Sequence, residues 1–208
     1  MTKIDRESQV KRVTATELGQ PVSVEIDRKI ETFKHTVWYR VNGSEWFEVG
    51  NDVAYAKDFV PPIDLADKIT SSDTGTLDIC VRTFTHEGVK IGDDSYSFGN
   101  KIKVPANILP TVGNITAVDI RGKTADVLPA NEFLFDTSNV RITLSGAQGA
   151  KGSTITSYKI KFGSQIVYTN SGDFYPKEKG AVEIVGEITD SRGRTAKTTK
   201  IVQVHDYD

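Results

Sequence analysis

The sequence predicts an all-β protein built from two tandem β-sandwich domains. One observation is that apolar and polar residues alternate with a period of two in many short segments, which is typical of strands with one buried and one exposed face. The other observation is that residues 75–88 align without a gap on residues 180–193. Because the two segments lie about one sandwich domain apart, the repeat indicates two copies of a whole domain.

The repeated segment is predicted to be the first strand and the turn of a β-hairpin. In residues 180–193 (GAVEIVGEITDSRG), valine and isoleucine alternate with polar residues until residues 190–193 supply turn formers. Residues 75–88 (GTLDICVRTFTHEG) have glycine at the same two ends and apolar residues at matching positions. The alternation resumes in residues 196–204. We therefore expect one such hairpin in each domain.

The composition is that of an ordinary globular chain. Among 208 residues, 26 are lysine or arginine and 28 are aspartate or glutamate, and no basic run indicates a nucleic acid or membrane partner. The single Cys80 cannot form an internal disulfide. The N-terminal residues lack the apolar segment of a signal peptide, and no stretch is long and apolar enough to span a bilayer. If the protein acts outside a cell, we expect it to leave by another route, such as a particle released by lysis.

The first half contains the clearer strand signals. Asn42 and Gly43 form a strong hairpin signal, because both residues accept a positive φ. In residues 63–69, isoleucine or alanine recurs every three residues after a proline pair, which predicts a single helical turn. Residues 1–8 are polar and are expected to be frayed. Strands are predicted at residues 9–16, 22–28, 34–41, 45–49 and from residue 53 to the proline pair, before the hairpin strands on either side of residues 86–88.

Two prolines mark the predicted domain boundary. They lie in the sequence VPANILP at residues 104–110, where they fix φ and stiffen the chain. We therefore assign residues 1–104 to the first domain, residues 105–110 to a linker and residues 111–208 to the second domain. Before its hairpin, the second domain is predicted to have strands at residues 112–120, near Phe133, at 140–145 and at 157–162, with a glycine-bearing loop at 147–152.

The alternation also predicts which residues form the two cores. In each domain, one face of a central strand and one face of the hairpin strand are apolar. For the first domain these residues are Val37, Tyr39, Val41, Leu77, Ile79 and Val81; for the second they are Tyr158, Ile160, Phe162, Val182, Ile184 and Ile188.

Five stretches, in this order, resemble a known group of phage proteins. They are HTVWYRV, FVPPIDLADKI, SSDTGTLDICVRTF, SGAQGAKGSTITSYKI and ITDSRGRTAKTTKIVQV. Together they resemble the Ig-like repeat region of siphophage minor structural proteins, of the tail tip or tail fibre, from phages of streptococci and related Gram-positive hosts. The likeness extends from about residue 35 to residue 204.

The resemblance implies two tandem Ig-like or fibronectin-III-like β-sandwich domains in a protein of the virion tail, extracellular in action. Such modules space or display a host-binding element, and the resemblance carries over no catalytic residue and no cofactor. It implies other tail proteins as partners, with host cell-wall polysaccharide and further copies of the chain as additional candidates. Proteins of this family are often longer, so the chain is expected to be a fragment, a short relative or a spacer.

The sequence shows no catalytic constellation. It contains no G-x-S-x-G, no H-E-x-x-H and no glycine-rich phosphate loop, and Cys80 has no second cysteine nearby. Each of the three histidines is expected to be a solvated or strand-face residue. Asp93 and Asp94 lack further ligands at set spacing, so we expect a solvated turn rather than a Ca²⁺ site. We therefore expect a protein that is not an enzyme.

The candidate binding residues are aromatic. Trp38, Trp46 and Tyr55 lie in neighbouring predicted strands of the first domain, and exposed rings of this kind stack on the C–H groups of sugars. Period-two counting places Trp38 opposite the apolar face of its strand, but a bulge or a domain contact would bury it. Trp46 and Phe47 are adjacent, so one is expected in the core and the other outside it.

Three classes of function remain open. The first is a structural or spacer protein of a phage tail, favoured by the tandem repeat and the proline linker. The second is a carbohydrate-binding module of the host-recognition apparatus, favoured by the aromatic residues. The third is a bacterial cell-surface adhesin module with the same sandwich, for which a sorting signal is expected and none is seen.

Overall fold

The computed structural model describes residues 6–121 and 128–206. The chain forms two compact units, Met1–Asn107 and Ile108–Asp208. The described residues form β-strands and one short 3₁₀ helix, so the prediction of an all-β protein is confirmed. Each unit consists of a smaller and a larger sheet with a shared apolar core.

The first unit contains seven named strands in its described part. They are β1 (Gln9–Thr14), β2 (Val22–Asp27), β3 (Lys34–Val41), β4 (Phe47–Val53), β5 (Ala56–Phe59), β6 (Thr74–Phe84) and β7 (Lys90–Lys103). The smaller sheet has the order β1-β2-β5, and the larger sheet has the order β4-β3-β6-β7. All neighbouring strands within these two sheets are antiparallel.

The core of the first unit lies between its two sheets. Tyr39 of β3 and Phe59 of β5 stack across the sheets with ring centroids 4.7 Å apart. The six predicted core residues of this unit are all buried, which confirms the alternation of β3 and β6. Asn42 and Gly43, between β3 and β4, have φ values of 47° and 70°, as the hairpin signal requires.

A 3₁₀ helix, Ile63–Lys68, follows the proline pair and confirms the predicted helical turn. Pro62 is extended at its N-terminal end, and Ile69 donates its backbone N–H to the oxygen of Ala66 at its C-terminal end. Leu65, Ala66 and Ile69 are buried, whereas Ile63 is exposed. The turn therefore contributes apolar side chains to the core of the first unit.

The second unit contains eight named strands in its described part. They are β8 (Asn114–Asp119), β9 (Glu132–Leu134), β10 (Val140–Ser145), β11 (Ile155–Phe162), β12 (Gln165–Val167), β13 (Ser171–Phe174), β14 (Gly180–Asp190) and β15 (Thr195–His205). The smaller sheet has the order β13-β10-β8, and the larger sheet has the order β12-β11-β14-β15-β9. The pair of β9 and β15 is parallel.

One cluster of buried side chains from both sheets forms the core of the second unit. Five of the six predicted core residues belong to it, and Tyr158 packs against it while partly buried. The smaller sheet contributes four members, whose side chains face those of the larger sheet. These four residues are Val140, Ile142, Leu144 and Phe174.

The repeated segments form equivalent hairpins, β6–β7 and β14–β15. Gly88 and Gly193 have φ values of 83° and 81°, a conformation that glycine adopts without steric cost. Each glycine donates its N–H to the residue three positions earlier, over 3.1 Å to Thr85 and 2.9 Å to Asp190. The repeated glycine therefore closes the same turn in both units.

Each unit also has a short parallel pairing at the edge of its larger sheet. In the second unit, β9 runs parallel to the end of β15. In the first unit, residue 17 forms a parallel bridge to Lys103 at the end of β7. Lys103 donates its N–H to Thr16 and accepts the N–H of Leu18, both over 2.9 Å. The duplication thus extends beyond the hairpin to a short segment beside its last strand.

Some predicted details are wrong. Ser8, expected in a frayed segment, is fully buried. Two hydrogen bonds hold it in place: its N–H donates to Thr83 Oγ1 over 3.1 Å, and its Oγ accepts the N–H of Lys29. His205, expected to be a solvated or strand-face residue, is partly buried at the end of β15, where Nε2 lies 2.6 Å from a carboxylate oxygen of Glu132. The strands β12 and β13 were not predicted. Residues 1–5 and most of the irregular segment expected at 121–131 lie outside the described residues.

The first prediction tests the core of the second unit. Ile184 is fully buried on β14, so its replacement by alanine removes apolar contacts and leaves a cavity. We expect Ile184→Ala to lower the free energy of unfolding by about 2 to 4 kcal/mol in a urea titration. Ile201→Ala is the matched control, because Ile201 is 69% exposed on the neighbouring strand. An equal effect of both substitutions would contradict the assignment of faces.

The second prediction concerns His35, which is fully buried on β3. Its Nδ1 lies 2.8 Å from the carbonyl oxygen of Val53 and therefore carries the proton, whereas Nε2 is buried without a hydrogen-bond partner among the described residues. Burial lowers the pKa of His35 below its ordinary value of 6.5. The unfolded chain therefore binds a proton first as the pH falls.

Well above pH 6.5, His35 is neutral in the folded and unfolded states, so it does not change the free energy of unfolding. As the pH falls from 6.5 toward the lower pKa of the folded state, His35 gains a proton mainly in the unfolded chain, which lowers the free energy of unfolding. We expect the stability of the wild type to decline more than that of His35→Gln between about pH 7.5 and about pH 5.5. Urea titrations at several pH values measure the two slopes. Equal slopes in both proteins would show that His35 does not titrate differently on folding.

Candidate functional site

The outer face of the larger sheet of the first unit is the candidate site. Because β3 and β6 direct one set of alternate side chains into the core, the other set lies on the outer face of the sheet, where neighbouring side chains cover Asp78 and Cys80. Trp38 and Arg40 of β3 lie opposite Cys80 and Asp78 of β6, and Cys80 lies opposite Tyr96 of β7. These pairings place aromatic and charged side chains in adjacent rows on one face.

Three aromatic rings meet on this face. Trp46 lies just before β4 and contacts Tyr96, with centroids 6.0 Å apart. Tyr96 and Phe98, two residues apart on β7, stack with centroids 5.2 Å apart and an angle of 8° between their planes. Trp46, Tyr96 and Phe98 are 36%, 47% and 61% exposed, so this is an apolar surface open to solvent.

Arg40 completes this group. Its guanidinium carbon lies 4.6 Å from the ring centre of Trp46 and 6.0 Å from that of Phe98, within the range of cation–π attraction. Its Nε donates to Asp78 over 2.9 Å, and the other carboxylate oxygen of Asp78 accepts the N–H of Gly99. Asp78 thus holds Arg40 between the rings. We call Trp46, Tyr96, Phe98 and Arg40 the aromatic cluster.

Trp38 has a related environment on the same face. It is half-buried, and the guanidinium carbon of Arg82 lies 5.0 Å from its ring centre. Arg82 donates two hydrogen bonds to Asp94, over 2.9 and 2.7 Å, and Lys90 lies 3.2 Å from the same carboxylate. The hydrogen bond from Arg82 holds the pKa of Asp94 below its usual range. Asp94 therefore forms ion pairs with Arg82 and Lys90 on this face of the sheet.

The three predicted binding residues do not form one group. Trp46 belongs to the aromatic cluster, and Trp38 lies on the same face beneath Arg82. Tyr55 is 58% exposed but lies beside the smaller sheet, where its backbone carbonyl oxygen accepts the N–H of Ile26 and its ring lies 4.7 Å from the guanidinium carbon of Arg28. Phe47 packs on Tyr39 toward the core, so the prediction that Trp46 and Phe47 face opposite ways is confirmed.

The sequence interpretation missed Tyr96 and Phe98. Their spacing of two residues in a strand predicts a common face. The register of β6 and β7 shifts at two places, between Leu77 and Ile79 and between Val81 and Thr83. Because each shift reverses the pattern of faces, alternation along β7 does not show which face is exposed.

The corresponding face of the second unit has a different chemistry. In the aligned hairpins, Glu183, Val185 and Glu187 of β14 take the places of Asp78, Cys80 and Arg82. Their neighbours on β11 and β15 are polar or aliphatic rather than aromatic. These neighbours are Lys159, Lys161, Lys197, Thr199 and Ile201. The shared strand arrangement therefore does not require aromatic rings on this face.

The thiol of Cys80 is not activated as a nucleophile. Cys80 is buried, and burial together with Asp94 raises the pKa of its thiol. The thiol is therefore protonated at neutral pH and a poor nucleophile. Within the described part of the chain, no three histidine, cysteine, aspartate or glutamate side chains lie close enough to hold a metal ion. No helix in that part is long and apolar enough to cross a membrane.

Comparison with known proteins places the chain in a phage family. No curated protein matches the sequence. A solved structure from a study of how a 1.5-MDa bacterial ice-binding adhesin is retained at its host cell surface has a TM-score of 0.36 at 13% identity. The match covers 97% of this chain and 65% of that chain. The model of a family described as "Siphovirus protein of unknown function (DUF859)" matches residues 1–207, so the chain belongs to this siphovirus family.

Proposed function

We propose that the chain is a structural protein of the siphophage tail, at the tip or in a fibre, where its two units space or display the host-recognition apparatus. Membership in a siphovirus family supports a role in the virion. The observation that carries the structural role is the duplication of one strand arrangement with short connections. Repeated compact modules of this kind extend a protein without adding a catalytic cleft.

The sheet orders support Ig-like or fibronectin-III-like modules. In the first unit, the first, second and fifth strands form one sheet, and the third, sixth and seventh strands are adjacent in the other. The second unit repeats this order, with β10 between β8 and β13 and with β14 between β11 and β15. Immunoglobulin-type sandwiches have the same adjacency of their third, sixth and seventh strands.

The proposed partners follow from the same role. A tail structural protein contacts other tail proteins, and tails built on rotational symmetry place several copies of one chain side by side. The near balance of 26 basic and 28 acidic residues supports neither a nucleic acid nor an anionic membrane as partner. The protonated Cys80 and the paired Asp94 support a role that is not enzymatic.

The third prediction tests the location in the particle. Antibodies raised against the purified chain should label intact virions at the distal end of the tail in immunogold electron microscopy. Serum depleted with the purified chain is the control. Label on the capsid alone, or virions that lack the chain by mass spectrometry, would contradict the proposed tail role.

A second function is favoured by one observation. The aromatic cluster is exposed on the first unit, and the corresponding face of the second unit lacks it. We propose that the first unit also binds polysaccharide of the host cell wall through this face. Exposed rings offer flat apolar surfaces to the C–H groups of a sugar, while Arg40 donates hydrogen bonds to its hydroxyl groups.

The fourth prediction tests wall binding. The purified chain should be retained on cell walls of a susceptible Gram-positive host, and a folded Trp38→Ala, Trp46→Ala double variant should lose most of this retention. Tyr55→Ala should keep it, because Tyr55 lies beside the other sheet. Absence of wild-type retention on the hosts of the parent phage would remove the binding role and leave the structural one. Loss in Tyr55→Ala alone would move the site to the smaller sheet.

A further inference from the structure

We infer that the aromatic cluster binds a neutral saccharide chain, and that ring stacking and hydrogen bonds rather than net charge hold it there. This inference rests on the proposed wall-binding role and names the ligand class for it. It depends on three features of the face: the spacing of the rings, the pairing of its charges and the free donors of Arg40.

The spacing of the rings suits successive sugar units. The centroids of Trp46 and Tyr96 are 6.0 Å apart, and those of Tyr96 and Phe98 are 5.2 Å apart. These distances are comparable with the length of one pyranose unit. A saccharide chain that crosses the cluster can therefore contact consecutive rings at the parts of their surfaces that remain exposed. Because the rings already contact one another, they lose little side-chain freedom when a ligand binds.

The charges beside the rings are paired. Asp78 binds Arg40 through Nε over 2.9 Å, and Asp94 binds Arg82 with two hydrogen bonds and Lys90 over 3.2 Å. Across from Trp38, Glu48 adds an exposed carboxylate to the same face. An anionic polymer binds largely by neutralising unpaired cations and releasing counterions. The arginines of this face are already neutralised, so a ligand without charge fits better.

Arg40 still has hydrogen-bonding capacity. The guanidinium group carries five N–H donors, and the hydrogen bond that fixes it uses Nε. Among the described residues, no hydrogen bond to the Nη groups of Arg40 is formed. Its side chain is 29% exposed beside Trp46 and Phe98, so these donors can reach a ligand that lies on the rings. Hydroxyl groups of a neutral sugar accept such bonds without needing a counter-charge.

The size of the cluster favours a saccharide over a protein partner. Tryptophan, tyrosine and arginine are also the residues that dominate protein interfaces. A stable protein interface, however, buries roughly 800 Å² on each partner. Three partly exposed rings and one guanidinium group present much less surface than this. A chain of a few sugar units needs only a surface of the size that the cluster offers.

The test uses the full chain and wall glycans of a susceptible host. The glycans are separated by anion exchange into an unretained neutral fraction and a retained anionic fraction, and each is titrated in a calorimeter. We expect binding of the neutral fraction, with less than about a twofold change in affinity between about 50 mM and about 500 mM NaCl. Phe98→Ala and Tyr96→Ala should each weaken binding about tenfold, because they remove a stacking surface.

Two variants separate this inference from its alternatives. Glu48→Gln removes an exposed carboxylate charge from the same face and leaves the rings and Arg40 in place, so it should bind the neutral fraction within about twofold of the wild type, whereas an anionic ligand would bind it more tightly. Ile201→Ala, on the corresponding face of the second unit and 69% exposed, should have no effect. Circular dichroism and the urea midpoint of each variant verify that it is folded.

Each contrary result has a distinct meaning. Preference for the anionic fraction, with affinity that falls steeply with salt, would overturn the inference while wall binding stands. Retention on walls with unchanged affinity in Phe98→Ala and Tyr96→Ala would also overturn it. Binding to a purified tail protein instead of either glycan, through the same residues, would make the cluster a protein interface. Wild-type chain that binds neither walls nor glycans would overturn both this inference and the wall-binding role. The proposed tail location would still stand, because the immunogold experiment tests it separately.

Discussion

Both units depend on the central strand of the larger sheet, β6 or β14, which pairs with a neighbour on each side. Its inward side chains are almost completely buried, as Leu77, Ile79 and Val81 show in the first unit. Since side chains alternate along a strand, burial of this set forces Asp78 and Arg82 outward. The core thus determines which residues can form a site, and the neighbouring strands then supply its aromatic rings.

The outer face of the first unit combines two features that oppose each other in water. Exposed rings favour contact with another surface, which would make the face prone to association. The paired arginines counter this tendency, because each places a charged group against an indole ring while keeping its ionic partner. Arg40 lies on Trp46 and is held by Asp78, and Arg82 lies on Trp38 and is held by Asp94. Such a face is apolar enough to bind a ligand and polar enough to stay hydrated.

The sequence predicted the parts of the fold that alternate clearly and missed the parts that do not. The strands Lys34–Val41 and Val140–Ser145 match their predicted bounds, because one face of each carries three successive apolar side chains. The strands β12 and β13 have three and four residues, too few for a period to appear. Burial of Ser8 depends on a hydrogen bond to Thr83, far along the chain, which local sequence does not reveal. Of the aromatic cluster, the sequence predicted Trp46 and missed Tyr96 and Phe98, because bulges conceal which face of β7 is exposed.

Comparison of the two units distinguishes the residues that both need for folding from the residues that differ between them. Both units keep the glycine turn and the buried alternation of the hairpin, so these are the conditions for folding. At the tip of the second hairpin, Arg192 is buried and donates to the backbone oxygen of Ala150 over 2.6 Å, despite a pKa lowered by burial. At the equivalent tip of the first hairpin, His86 and Glu87 are exposed. The second unit therefore uses its hairpin tip to fix its own loop, whereas the first unit leaves the matching side chains exposed. The proposed recognition role therefore rests on the first unit, because the matching positions of the second unit carry no aromatic rings.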